Sequence, residues 1–346
     1  MNVLTPNETL RGAADTKKQI FHRLAALRSA PRLHDHHPDI SFSRMTDVLR
    51  SPLIDQDVVQ AGWDIISRRY SALGLHRLLP PERVWVGTHS LSPDPVFGGF
   101  HRPGQGYRHL QAAAVITAYG DLSGKIPWIP ELAALDLLRS YAHDCLHYGS
   151  YRRYSLPEAG EGVDRIRYGI NFRRPDGRTY SAQDGDGATA TRNLGVVMEG
   201  ATDREARSVA REAGIEALIR HPPSGVDYFA FRDETGLLDS VDLCALQNPR
   251  WTYEANPAAR SYLRNLAAYA RGVGVRYEVF LREVARCEAD QLHSLILTSM
   301  IGGRLAPLSS WLAARHGSGA FAALFKAKSY SSTSDPTHRP RWRQDK

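Results

Sequence analysis

The chain has 346 residues, 42% of them hydrophobic, which is enough to bury the core of one large domain or two ordinary ones. Its 44 basic and 37 acidic residues leave a net charge of +7 and a pI of about 9.4, with the arginines scattered rather than gathered into a nucleic-acid-binding face. No run of about 18 apolar residues spans a membrane, Met1 to Ala14 lacks a signal peptide's apolar core, and Cys145, Cys244 and Cys287 form no C-x-x-C pair. The expectation is a cytoplasmic protein without a disulfide framework.

Residues 1–80 read as a small helical N-terminal region. Ile20, Phe21, Leu24 and Leu27 make the apolar stripe of one helix. The proline-bounded run Pro31-Arg32-Leu33-His34-Asp35-His36-His37-Pro38 reads as a polar surface loop, since no partner cluster turns its histidines into a metal site. A second helical block covers about Thr46 to Leu79, with Val58, Val59, Trp63, Ile66 and Tyr70 at helical spacing.

From Glu82 to about Phe325 the texture is mixed, and this stretch (81–325) reads as the main domain. Val84-Trp85-Val86-Gly87 is strand-like, and Ser92 to Gly106 is a Pro/Gly-rich loop with His101. Ala112 to Tyr119 suits a buried strand or a short helix. Ile126 to Pro130 is extended, its prolines keeping it at a sheet edge. A helix opens at Pro130-Glu131, proline leading an acidic first turn, and Leu132, Leu135, Leu138, Ala142, Cys145 and Leu146 form its apolar face.

Beyond Arg153, the alternating Arg165 to Phe172, the turn Pro175-Asp176-Gly177 and Arg178 to Ser181 predict a β-hairpin. Asp184-Gly185-Asp186-Gly187 lacks the downstream ligands of a calcium loop and reads as a flexible connection. A helix starts near Asn193. The remainder is mostly helical, with long elements over Ala258–Ala270, Val275–Met300 and Leu308–Phe325. Residues 326–346 are basic, rich in Ser, Thr and Pro, and read as a disordered tail. The fold class expected is α+β, predominantly helical, with a small sheet and a hairpin near the helix that begins at Pro130.

That helix carries the chemistry. His143 and His147 are four residues apart and share a face, so both rings can point at one atom, as in a zinc site of the H-E-x-x-H kind. Asp144 stands where the glutamate base stands in that motif. Zinc hydrolases use three protein ligands and keep one position for water. The best third ligand is Glu199, 52 residues beyond His147 on the next helix.

The pattern His143-Asp144-x-x-His147, a hairpin, then Glu199-Gly200-Ala201-Thr202-Asp203 resembles the gluzincin zinc metallopeptidases over about residues 110–210. Those enzymes carry H-E-x-x-H on one helix and a glutamate ligand on the next. The resemblance implies a zincin-like fold, Zn2+ held by His143, His147 and Glu199, and Asp144 as general base for the attacking water. It implies further that Asp203 orients a ligand histidine and that the substrate is a peptide or protein. The departure is Asp144, one methylene shorter than glutamate. Its carboxylate would stand roughly 1–1.5 Å further from the water, a displacement that can cost about 10²-fold in rate. His293, Tyr253 and Tyr228 are the candidate oxyanion stabilisers.

Two other readings use the same residues. Adjacent His143-Asp144, with His109 upstream and Asp203 downstream, also resembles the HD-domain metal-dependent phosphohydrolases, which are all-helical and act on nucleotides or other phosphoesters. A zincin-derived binding or regulatory protein, in which Asp144 no longer catalyses, is the third.

Overall fold

The computed structural model describes residues 4–28, 40–91, 108–111, 129–158, 160, 162–173, 179–185, 187–222, 225–248 and 257–326. The histidine-rich run 31–38, the segment 112–128, His101, Tyr253 and the tail beyond 326 lie outside them. The fold is α+β and predominantly helical, as the sequence predicts. The chain divides into two compact units. One comprises Met1–Ala25, Gly149–Thr202 and Arg271–Lys346, the other Ala26–Tyr148 and Asp203–Ala270.

The first unit is built on a four-stranded sheet in the order β1-β5-β6-β7, with β1 Glu8–Leu10, β5 Arg152–Ser155, β6 Asp164–Tyr168 and β7 Asn171–Phe172. β1 runs parallel to β5 and the other pairs are antiparallel, with a bulge at Arg153/Tyr154. Helix α1 (Ala14–Arg28) lays Ile20 and Leu24 against Tyr154, and Leu10, Leu156 and Val163 close the cluster. Each fully buried aliphatic of that kind stabilises by about 1.5–3 kcal/mol. Phe21, expected on the same stripe, is exposed.

The hairpin differs from the expected one. The predicted first strand, Arg165 to Phe172, folds back on itself at Gly169-Ile170 to give β6 and β7. Gly169 supplies the required left-handed backbone (φ +55°), and Met198 and Met300 pack where its side chain would stand. The chain still returns antiparallel further on, where Arg173 pairs with Thr179.

The C-terminal helices of this unit are shorter than predicted. Val275–Met300 resolves into α9 (Arg276–Ala285), a 3-10 turn and α10 (Ala289–Gly302), broken where Arg286 takes φ +51°. Leu308–Phe325 resolves into α11 (Ala306–His316) and α12 (Ala320–Phe325), separated by Gly317 and Gly319 at positive φ.

The second unit carries a three-stranded sheet, β2 (Ile40–Arg44), β3 (Val84–Ser90) and β4 (Arg108–Gln111), in that order. The single helical block predicted over 46–79 is two helices, α2 (Met45–Val48) and α3 (Gln56–Ala72). Pro52 lies in the break, and Asp55 caps α3 by accepting from the Val58 amide at 2.9 Å. Helix α4 (Pro130–Gly149) packs closely on α3, because Gly62 leaves room for Leu138. The Tyr70 hydroxyl donates to the Ala142 carbonyl (3.0 Å) and the Tyr141 hydroxyl to that of Leu79 (2.6 Å).

Helix α5 (Leu194–Glu216) begins in the first unit and continues into the second. Asn193 caps it, accepting from the Gly195 amide at 2.8 Å. The second unit is completed by α6 (Gly225–Glu234), α7 (Ser240–Ala245) and α8 (Pro257–Tyr269), with a short π turn following α8. No helix of the described residues is long and apolar enough to cross a membrane.

Candidate metal centre

Helix α4 is positioned by its apolar face. Leu132, Leu135, Leu138, Ala142, Cys145 and Leu146 are all buried, as the spacing predicts, while His143 and His147 are half-buried on another part of its surface. Four residues is just over one turn, and the two rings meet edge to face with centroids 4.6 Å apart. Their Nε2 atoms are 3.0 Å apart. Two nitrogens each about 2.05 Å from a tetrahedral zinc stand roughly 3.3 Å apart, so the pair is close to the separation a shared ion requires. The same distance also suits one N–H···N bond between neutral imidazoles, so it identifies no particular occupant.

The packing of α5 on α4 is legible from two pairs. Leu135 lies beside Gly214, and Arg139 Nη1 is 3.6 Å from Asp203 Oδ1. Moving toward the C-terminus of α4 thus means moving toward the N-terminus of α5, so the helices are antiparallel. One turn beyond Arg139 is His143, and one turn before Asp203 is Glu199. The nitrogen ligand atoms of His143 and His147 and a Glu199 carboxylate oxygen all lie within 4.8 Å of one another. Two imidazoles and one carboxylate are a donor set that suits zinc and other borderline divalent ions. Gly200, the residue after Glu199, is buried and faces Tyr277, leaving no space for a side chain.

Asp144 follows His143 at the same offset as the glutamate in H-E-x-x-H, and it is buried. Asp203 lies one turn from Glu199, but its carboxylate contacts two arginines. Its Oδ2 accepts from Arg207 Nε at 2.6 Å, and its Oδ1 faces Arg139. The expected role of orienting a ligand histidine therefore competes with two guanidinium groups for the same carboxylate.

Those contacts belong to a buried charge network that the sequence reading missed. Arg139 Nε donates to Glu234, its Nη2 lies 3.5 Å from Asp136, and Arg207 Nη1 donates to Asp233 at 2.6 Å. Four carboxylates thus surround two arginines. Burial pushes the Glu234 carboxyl well above its usual range, against the pull of Arg139. Burial also works against the charge on Arg139 and Arg207, but the surrounding acids outweigh it and hold both guanidinium pKa values above normal. The signals were present in the sequence as Asp136-x-x-Arg139 and Asp203-x-x-x-Arg207, both at helical pairing distances.

Of the oxyanion candidates, His293 is buried with Nδ1 2.9 Å from the Tyr277 hydroxyl, and the Tyr228 hydroxyl donates to Asp242 at 3.1 Å. His109, needed by the phosphohydrolase reading, falls on β4, whose backbone pairs in parallel with β3. Its side chain lies outside the described residues. Comparison of the chain with protein-family models, with curated proteins and with solved structures finds no match in any of the three.

Proposed function

We propose that the chain is a zinc-dependent hydrolase that cleaves a peptide bond. The observation that carries this reading is the approach of His143, His147 and Glu199, whose ligand atoms lie within 4.8 Å on two antiparallel helices. Zinc, when bound, supplies a Lewis acid and lowers the pKa of water at the site toward neutrality. The chain's own residues do the rest. The two imidazoles and Glu199 would hold the ion in one place, and Asp144 would take a proton from water beside them. Burial of Asp144 keeps its carboxylate from being screened by bulk solvent.

A strand at residues 108–111 and two sheets fit an all-helical HD-type domain poorly, so the peptidase reading is the better supported. The test is metal content followed by activity. Purified protein should hold about one zinc per chain, and His143→Ala and Glu199→Ala should each release it. Full retention by both variants would overturn the reading. Asp144→Ala should keep the metal and lose peptide hydrolysis. Zinc bound without any hydrolysis would instead favour a binding or regulatory protein, and release of phosphate from nucleotides, abolished by His109→Ala, would establish the phosphohydrolase.

A further inference from the structure

The four-stranded sheet of the first unit holds a second cluster, independent of the histidine pair. The register aligns Glu8 with Arg152, Leu10 with Tyr154, Arg152 with Tyr168 and Tyr154 with Arg165. All six therefore share one face, despite the bulge. Arg165 stacks its guanidinium on the Tyr168 ring with its central carbon 4.6 Å from the ring centre, and Arg152 approaches the same ring at 5.3 Å. Two like charges thus flank one aromatic.

Arg165 is the unusual member. Its Nε and Nη1 are shut off from solvent, and neither donates a hydrogen bond. Among the described residues no carboxylate pairs with it. Tyr154, which packs against Ile20 and Leu24 of helix α1, is the register neighbour of Arg165. Burial lowers the Arg165 pKa to about 10, and Arg173 and Arg152 push it in the same direction. A guanidinium carries five donors in a fork matched to an oxyanion, and one shut off without an acceptor loses its hydration for little return. Stacking on Tyr168 recovers only part of that loss, since the ring accepts no hydrogen bond in the plane of the fork.

The charge count indicates what is missing. Arg152, Arg165 and Arg173 contribute three positive charges. Among the described residues, Glu8 is the acidic residue in register with this face, where its Oε1 accepts from the Tyr154 hydroxyl at 2.9 Å and lies 4.0 Å from Arg152. Two charges remain. We propose that Arg165, with Arg152 and Arg173 beside it, binds a phosphate-type dianion on this face of the sheet. A dianion balances the two charges, and its tetrahedral oxygens can meet the Arg165 fork and still leave acceptors for the neighbouring arginines.

The test is calorimetric titration of the full chain with inorganic phosphate against chloride at matched ionic strength. Arg165→Gln should weaken phosphate binding at least tenfold and Arg173→Gln several-fold. Arg153→Gln, exposed on the opposite face, should leave it unchanged. His143→Ala should also leave it unchanged, which separates this site from the candidate metal centre. Arg165→Lys keeps the charge without the fork. If it folds with unaltered circular dichroism and binds several-fold more weakly than the parent, the fork itself is required. A phosphomonoester binding more tightly than inorganic phosphate would place the anion on a larger ligand and support the proposal equally. Absence of phosphate binding, binding that Arg165→Gln leaves intact, or binding lost in His143→Ala would overturn it.

Discussion

Arg139 Nη1 lies 3.6 Å from Asp203 Oδ1, joining α4 to α5 one turn away from His143 and from Glu199. The candidate metal ligands are thus continued from an ion pair in the interior of the second unit. Removing one member of a buried pair leaves the others uncompensated, and that is commonly costlier than the pair was worth.

Arg139→Met tests this dependence. The variant removes the guanidinium that Asp136, Asp203 and Glu234 share and leaves Arg207 paired with Asp203 and Asp233. A loss of roughly 3–5 kcal/mol in urea unfolding at neutral pH is expected, part of it recovered in mild acid as the carboxylates take protons. A loss below about 1 kcal/mol would mean that the network contributes little.

Glu234 gives a pH signature. Its carboxyl is raised on folding, chiefly by burial. The folded state therefore keeps the proton longer than the unfolded chain, whose glutamate titrates near about 4.3. That advantage is complete below the unfolded pKa and is lost as pH rises through the folded one. Glu234→Gln does not titrate, so the Tm of the variant minus that of the parent should grow more positive between about pH 5 and pH 8. A difference that shrinks over this range contradicts the assignment.

Gly200→Ala probes the ligand-bearing turn of α5. A methyl there would overlap Tyr277, at atoms close to its backbone that cannot swing away. The expected cost is about 1–3 kcal/mol of stability, together with weaker zinc binding, because Glu199 is carried by the turn that must shift. Gly62→Ala, on α3, meets the terminal carbons of Leu138, which can turn aside more readily than Cβ and Cγ of Tyr277. It should lower thermal stability while disturbing metal binding less, and equal effects on metal would remove the special role of Gly200.

Tyr141→Phe and Tyr70→Phe each delete one buried hydroxyl and leave the carbonyl of Leu79 or Ala142 without that donor. Each should cost about 1 kcal/mol in chemical denaturation. No change in either variant would mean that water or another donor takes over the carbonyl.

Helix α4 was readable because its apolar positions, its leading proline and its paired histidines are all local signals. Its register on α5 was not, since it depends on Arg139 and Asp203, which are 64 positions apart in the chain. The antiparallel return after Pro175-Asp176-Gly177 was legible from a loud turn signal, whereas the earlier fold-back was missed because Gly169 is a lone glycine in an alternating run. The break at Arg286 carries neither glycine nor proline, so nothing local marks it. The role expected of Asp203 came from its spacing to Glu199, and spacing alone cannot register that Arg207 on the next turn occupies one of its oxygens.

Helix α5 also acts at a distance from its ligand. Arg69 donates to both oxygens of Glu205, at 2.8 and 3.0 Å, and to Ser208 and Glu212, each at 3.0 Å, gripping the helix at three points. Glu205 is six residues from Glu199, about 9 Å along a rigid rod. A tilt of about 5° at that grip swings the Glu199 end by roughly 0.8 Å, enough to change a coordination distance. Arg69→Gln should therefore loosen zinc binding, read as a faster loss of metal to a chelator, although no ligand is touched. The grip would be a remote control on how firmly the centre holds its ion.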